Sequence, residues 1–243
     1  MFTLLTAAAF FTALLSATVG MAGGLVLLGV YTAVLPVEVA MVLHGVTQLF
    51  ANGLRAAAHA RSVRWPVVGN YALGAAVAWL LLRPVATTPS ATAVYLALGA
   101  LPFIARLVRG AWALDIGRRP HAVLAGAVVA GVQVIAGAAG PLLDLFVLDT
   151  RLDRHEIVAT KSATQTLAHV AKIAWFAPLL GVGDTPAPDL VGGVLVGAAL
   201  GTAAGSWLLD RWSDAGFQAA SRGVVLAVGG VYLTLGLGRV LAA

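Results

Sequence analysis

Apolar positions along this chain gather into long stretches rather than alternating patterns. They cover 3–34, 37–59, 67–83, 90–108, 121–148, 155–180, 189–209 and 217–240. A helix needs about 20 apolar residues to span a hydrocarbon core, and the stretches predict membrane-crossing helices. Short alternating segments, the mark of a closed barrel, do not occur. Pro36, Pro66, Pro84, Pro89, Pro120, Pro186 and Pro188 fall between or at the edges of the stretches, where helices start or stop. Stretches 3–34 and 121–148 are too long for one pass, and a glycine cluster interrupts each.

The pattern is written twice at an offset of 117 positions. Gly20-Met21-Ala22-Gly23-Gly24-Leu25 returns as Gly137-Ala138-Ala139-Gly140-Pro141-Leu142. In the same register Thr47, Gln48, Asn52 and Arg55 return as Thr164, Gln165, His169 and Lys172. Matching interruptions in two halves of a hydrophobic chain point to a secondary transporter and to its site. The expected division is residues 1–116 and 117–243, two repeats of one integral membrane domain.

Composition narrows the class further. Of 243 residues, 60% are hydrophobic and 10% charged, against roughly a quarter charged in soluble domains. There is no cysteine, which removes disulfides, thiolate catalysis and cysteine-ligated metals. The net charge of +5 does not indicate nucleic acid, because the arginines stand singly at the ends of apolar segments, where orientation signals lie. The first apolar stretch lacks a basic leader and a cleavage site, so mature structure is expected there rather than a signal peptide. No metal-ligand spacing, phosphate loop or nucleophile elbow appears, and no enzyme or cofactor is expected.

Arginine placement bears on topology. If all eight stretches cross, one side holds Arg55, Arg61, Arg64, Arg106, Arg109, Arg118, Arg119 and Arg239. The other holds Arg83, Arg151, Arg154, Arg211 and Arg222, a split of 8 against 5. If the first and fifth stretches instead enter and return on one face, only Arg83 and Arg239 oppose the rest, 11 against 2. The positive-inside rule favours the second arrangement. Each half then has three crossings, an odd number, and the halves are inverted. The expected fold is an all-α polytopic membrane protein of two inverted repeats, each a re-entrant or broken helical hairpin followed by three transmembrane helices.

In that arrangement Gly23, Gly24, Gly140 and Pro141 shape two tips near the midplane, where half-helix N-termini offer unpaired N–H groups. Two such ends make an anion site. Pro141 suits a first helical position, where its missing N–H costs nothing. The alternative is that the glycines only permit close packing. Gln48 and Gln165 lie about 15–17 Å from their helix starts, half a bilayer deep, with Thr47 and Thr164 beside them. Asn52 and His169 follow by four residues on the same faces. These side chains are the candidate substrate ligands, interhelical hydrogen bonding being the alternative. The case for His169 rests on the repeat alone. Lys161, about 9 Å into its helix, either snorkels to the basic face or attracts anions. Lys172 and Arg55 are expected near opposite interfaces. Asp144, a carboxylate in an apolar run, is functional by default. It takes a coupling proton, caps its half-helix or pairs with Lys161.

Ala22-Gly23-Gly24-Leu25, then Leu35-Pro36-Val37-Glu38-Val39-Ala40, then Arg61-Ser62-Val63-Arg64-Trp65 resemble the TauE/SafE family, the sulfite exporter or toluenesulfonate uptake permeases. Gly137 to Leu143 and Glu156 to Ala163 resemble its repeated motif. The resemblance implies transport of small sulfur-containing or organic anions such as sulfite, sulfonates and sulfoacetate, in either direction. The expected function is a secondary transporter working by alternating access in the bacterial cytoplasmic membrane. The coupling ion is H⁺ or Na⁺, and the partners are the anion, the bilayer and a second copy in a homodimer. An anion channel, or a transporter of another carboxylate-type anion, is the alternative.

Overall fold

The computed structural model describes residues 1–19, 22–85, 87–109, 114–147, 150–209, 211 and 214–242. Gly20 and Met21 of the first glycine motif lie outside the described residues. Among the described residues the regular structure is helical and no strand occurs. The first half comprises α1 (Phe2–Val19), α2 (Gly23–Val34), α3 (Val37–Ala58), α4 (Trp65–Leu82) and α5 (Ala91–Arg109). The second comprises α6 (Arg119–Ala136), α7 (Gly140–Val147), α8 (Arg154–Phe176), α9 (Pro188–Leu209) and α10 (Asp214–Leu241).

Local sequence explains the boundaries. Pro36 precedes α3, and Pro66 and Pro120 occupy the first turns of α4 and α6, positions where no N–H is needed. Asp153 and Glu156 form a reciprocal capping box at the start of α8. The two long stretches divide at their glycine motifs. Gly137 ends α6 in the left-handed region at φ 82°, a conformation that a Cβ disfavours. Ala22 precedes α2 at φ 70°. One proline departs from the edge rule: Pro102 lies inside α5, and Gly229 of α10 packs against its ring.

Among the described residues four helices are long and apolar enough to cross a membrane, α4, α5 through Val108, α6 and α9. Helices α3 and α8 are equally long but carry the polar residues, and they turn those residues toward each other. Around them the molecule is inside out relative to a soluble domain. Leu73, Val77, Leu80 and Leu81 are exposed along one face of α4, and Val196, Leu200 and Trp207 along α9. His44, Gln48, Asn52, Arg55, Lys161 and Lys172 are buried. Such continuous apolar exposure fits a lipid environment and not water.

The halves interlock. The most extensive contacts join α1 to α9, α4 to α6, α3 to α8 and α5 to α10, so each crosses from one half to the other. Small residues let these backbones approach. A methyl on Gly74 would stand 1.9 Å from the Val123 carbonyl, and one on Gly126 at 1.9 Å from that of Tyr71. Gly193, Gly197, Gly201 and Gly205, one per turn of α9, climb α1 past Phe2, Thr6, Phe10 and Leu14 in that order. Thus α1 and α9 run parallel. Helices α3 and α8 run antiparallel, because Gly45 lies against His169 and Ile173 while Arg55 reaches Ser162. Helices α5 and α10 are also antiparallel, Gly99 meeting Leu233 and Gly236 meeting Leu96. Gly23 lies against the Thr12 carbonyl and Ser16, so α2 begins beside the middle of α1.

Candidate functional site

A partly open cavity of about 50 Å³ lies between α3 and α8, bordered also by residues of α1, α2, α6 and α7, a volume several times the roughly 10–15 Å³ that one water needs. Its walls hold Ser16, Ala22, Gly24, Leu25, His44, Gln48, Asn52 and Arg55 from the first half. From the second come Gln133, Ala138, Ala139, Gly140, Val158, Lys161, Ser162, Gln165 and His169. Five register pairs at the 117-residue offset contribute both members: Ser16 with Gln133, Ala22 with Ala139, His44 with Lys161, Gln48 with Gln165, and Asn52 with His169.

Hydrogen bonding inside the wall has a direction. The Asn52 amide donates to the Gln48 backbone carbonyl at 2.8 Å and to Gln48 Oε1 at 3.2 Å. Asn52 Oδ1 in turn accepts from Arg55 Nη1 at 3.1 Å. Ser162 Oγ lies 3.4 Å from the same nitrogen. These side-chain acceptors are therefore occupied within the wall, while Arg55 Nε, Arg55 Nη2 and Gln165 Nε2 are buried without a hydrogen-bond partner. The Gln133 amide nitrogen lies 3.3 Å from His169 Nδ1. Gln133 Oε1, unpartnered and buried, is the exception in a wall otherwise left with donors.

Charge around the cavity is arranged in two ways. Lys161 is ion-paired with Asp144, both side chains buried. Lys172 is wholly buried behind the wall, donating to the Gly137 carbonyl at 2.7 Å and lying 2.9 Å from His44 Nδ1. His44 Nε2 is 2.8 Å from the Gly24 carbonyl.

Residues 5–232 match the family described as Sulfite exporter TauE/SafE. The chain belongs to the TauE/SafE sulfite exporter family. No curated protein and no solved structure matches it. Membership makes this TauE/SafE chain a membrane transporter of the sulfite-exporter type, in a family of transporters and not enzymes.

Of the candidate ligands in this TauE/SafE protein, Gly24, Gln48, Asn52, Gly140, Lys161, Gln165 and His169 line the cavity. Thr47 and Thr164 do not. Their hydroxyls donate to their own helix, at Leu43 and Lys161, and Thr47 also meets Tyr31. Gly23 is a packing residue against α1, and Pro141 is buried outside the lining. Asp144 has taken Lys161 as its partner. Arg55 and Lys172, expected near opposite interfaces, stand near the C-terminal ends of the antiparallel α3 and α8 and are packed between helices, 3% and 0% exposed. Partners on neighbouring helices satisfy part of each side chain there. Ser16 and Gln133 were missed, although their polarity at matching positions ahead of each glycine motif was visible in the repeat.

Proposed function

We propose that this TauE/SafE chain moves a small sulfur-containing oxyanion across the bacterial cytoplasmic membrane by alternating access, with the cavity between α3 and α8 as its substrate site. The observation that carries this reading is the convergence of register pairs from both halves on one donor-rich cavity. A channel needs a polar lining along its whole length, whereas here the polar residues surround one small chamber.

Two contacts support the inverted-repeat arrangement. Helices α3 and α8 are equivalent in the repeat and pack antiparallel, as inversion requires. Eight full crossings would run them parallel. Arg64, in the linker before α4, also lies 3.3 Å from Glu156 at the start of α8. Eight crossings would put those two linkers on opposite sides of the membrane. Residues 1–116 and 117–243 are then two inverted units, with α1–α2 and α6–α7 as the hairpins.

Asp144 is the coupling candidate in this reading. A proton bound there neutralises the carboxylate and releases the Lys161 charge toward the cavity, which links proton and anion. The same site serves a small carboxylate if size and not sulfur sets the choice. The test is a thermal-shift series on detergent-purified protein with sulfite, sulfonates and carboxylates, since a ligand bound by the folded state alone raises apparent stability. A saturable shift is expected with wild type and a weaker one with Gln165→Ala. A wild type that responds to no anion rules out the proposal.

A further inference from the structure

Arg55 is a buried cation whose ordering leaves one edge open. Its Nη1 is held by Asn52 Oδ1 and Ser162 Oγ. Its Nε and Nη2, the other edge of the planar guanidinium, have no partner although both are buried. That pair of N–H groups forms a fork that matches two oxygens of one carboxylate, sulfite or sulfonate group. An unsatisfied charged edge is costly to bury, and Arg55 lines the cavity. A ligand that fills the edge removes that cost.

The charge count around the cavity adds a second condition. Lys161 is balanced by Asp144. Lys172 stands outside the lining, its ammonium turned to the Gly137 carbonyl and His44. Among the described residues Arg55 makes no ion pair with an acid. It is thus, among those residues, a lining cation without an acid partner, and Gln165, with its unpartnered Nε2, belongs to the same wall.

We infer that Arg55 is the anion anchor of this site, gripping two oxygens of the substrate through its Nε–Nη2 edge and selecting a monoanion such as an alkyl sulfonate or hydrogen sulfite over a dianion. The inference deepens the transport reading and rests on it. The fork supplies what a point charge does not, two parallel hydrogen bonds of fixed direction. Asn52 and Ser162 act as positioning residues that aim it.

The experiment is titration calorimetry on the detergent-purified full chain with methanesulfonate, sulfate and chloride. Wild type is expected to bind methanesulfonate at least tenfold more tightly than sulfate or chloride. Arg55→Lys keeps the charge and loses the fork, and is expected to weaken methanesulfonate by about 10–100-fold, the weight of one or two charge-assisted hydrogen bonds. Chloride affinity, which needs no fork, should change little. If Arg55→Lys binds methanesulfonate as wild type does, the anchor is wrong while the transport reading stands. If wild type binds none of the three anions, the anchor fails, and the sulfite and carboxylate arms of the thermal-shift series decide whether the transport reading fails with it. Should Arg55→Lys not purify folded, the wild-type series still decides. Chloride equal to methanesulfonate overturns the fork, and sulfate tighter than methanesulfonate overturns the charge count.

Discussion

The Lys172 ammonium stands 2.9 Å from Nδ1 of His44, and the other ring nitrogen of that histidine is 2.8 Å from the Gly24 carbonyl. A carbonyl only accepts, so the Nε2 proton is fixed and Nδ1 is left to accept from Lys172. With the bond from Lys172 to the Gly137 carbonyl, one lysine ties α8 to α3 and to the end of α6. His44 extends the tie to the start of α2. Both glycine breaks are therefore connected through two side chains.

Removing that lysine should loosen both breaks together. Lys172→Met leaves the Gly137 carbonyl and His44 Nδ1 without their donor, and each unsatisfied buried group costs about 1–3 kcal/mol. A melting temperature several degrees below wild type is expected in detergent. An unchanged melting curve would mean that water takes the lysine's place and that the tie is incidental.

The pair Lys161–Asp144 makes a different prediction, because both partners are charged and buried. Asp144→Asn alone leaves a buried ammonium, a loss of roughly 3–5 kcal/mol for a broken buried pair. Adding Lys161→Met removes the stranded charge, so the double variant should be more stable than Asp144→Asn alone. A double-mutant cycle by chemical denaturation measures the coupling. Additive effects would show that the two charges do not sense one another.

The equivalent glycines Gly23 and Gly140 should respond oppositely to the same substitution. A methyl on Gly23 would stand 2.0 Å from the Thr12 carbonyl, backbone that cannot move without separating α1 from α2. On Gly140 it meets nothing within 4 Å. Gly23→Ala is expected to abolish the monodisperse peak in size-exclusion chromatography. Gly140→Ala should fold with a melting temperature close to wild type and shrink the cavity that it lines. Equal tolerance of both changes would contradict the close approach of α2 to α1.

Why some of this was legible in sequence and some was not follows from where each residue's partner lies. The apolar stretches and the two breaks were readable because segment length and glycine act locally, as at Gly137 with its left-handed backbone. Gln48, Gln165, Asn52 and His169 could be placed on facing surfaces because helical periodicity and the repeat are also local signals. What Arg55 and Lys172 touch was not legible, because long cationic side chains near helix ends usually reach the interface. Here their partners are Ser162, 107 residues away, and Gly137 and His44 on other helices. Thr47 and Thr164 looked like ligands, yet a helical hydroxyl finds a carbonyl three or four residues back within its own turn.

Because the chain contains no cysteine, membrane sidedness can be tested with single introduced thiols. Arg64 contacts Glu156, and the rings of His59 and His155 lie 5.7 Å apart. The linker before α4 and the start of α8 must therefore share one face of the membrane. The linker between α8 and α9 carries the exposed Val182 and, in the proposed topology, follows one crossing later on the opposite face. Ser62→Cys and Arg151→Cys should react with an impermeant maleimide from the cytoplasmic side of oriented vesicles, and Val182→Cys from the other. By the positive-inside rule, the arginines around the first two positions are the reason to expect that shared face inside. Labelling of Ser62→Cys and Arg151→Cys from opposite sides would restore eight full crossings. It would also be incompatible with the Arg64–Glu156 contact, so the topology and this packing stand or fall together.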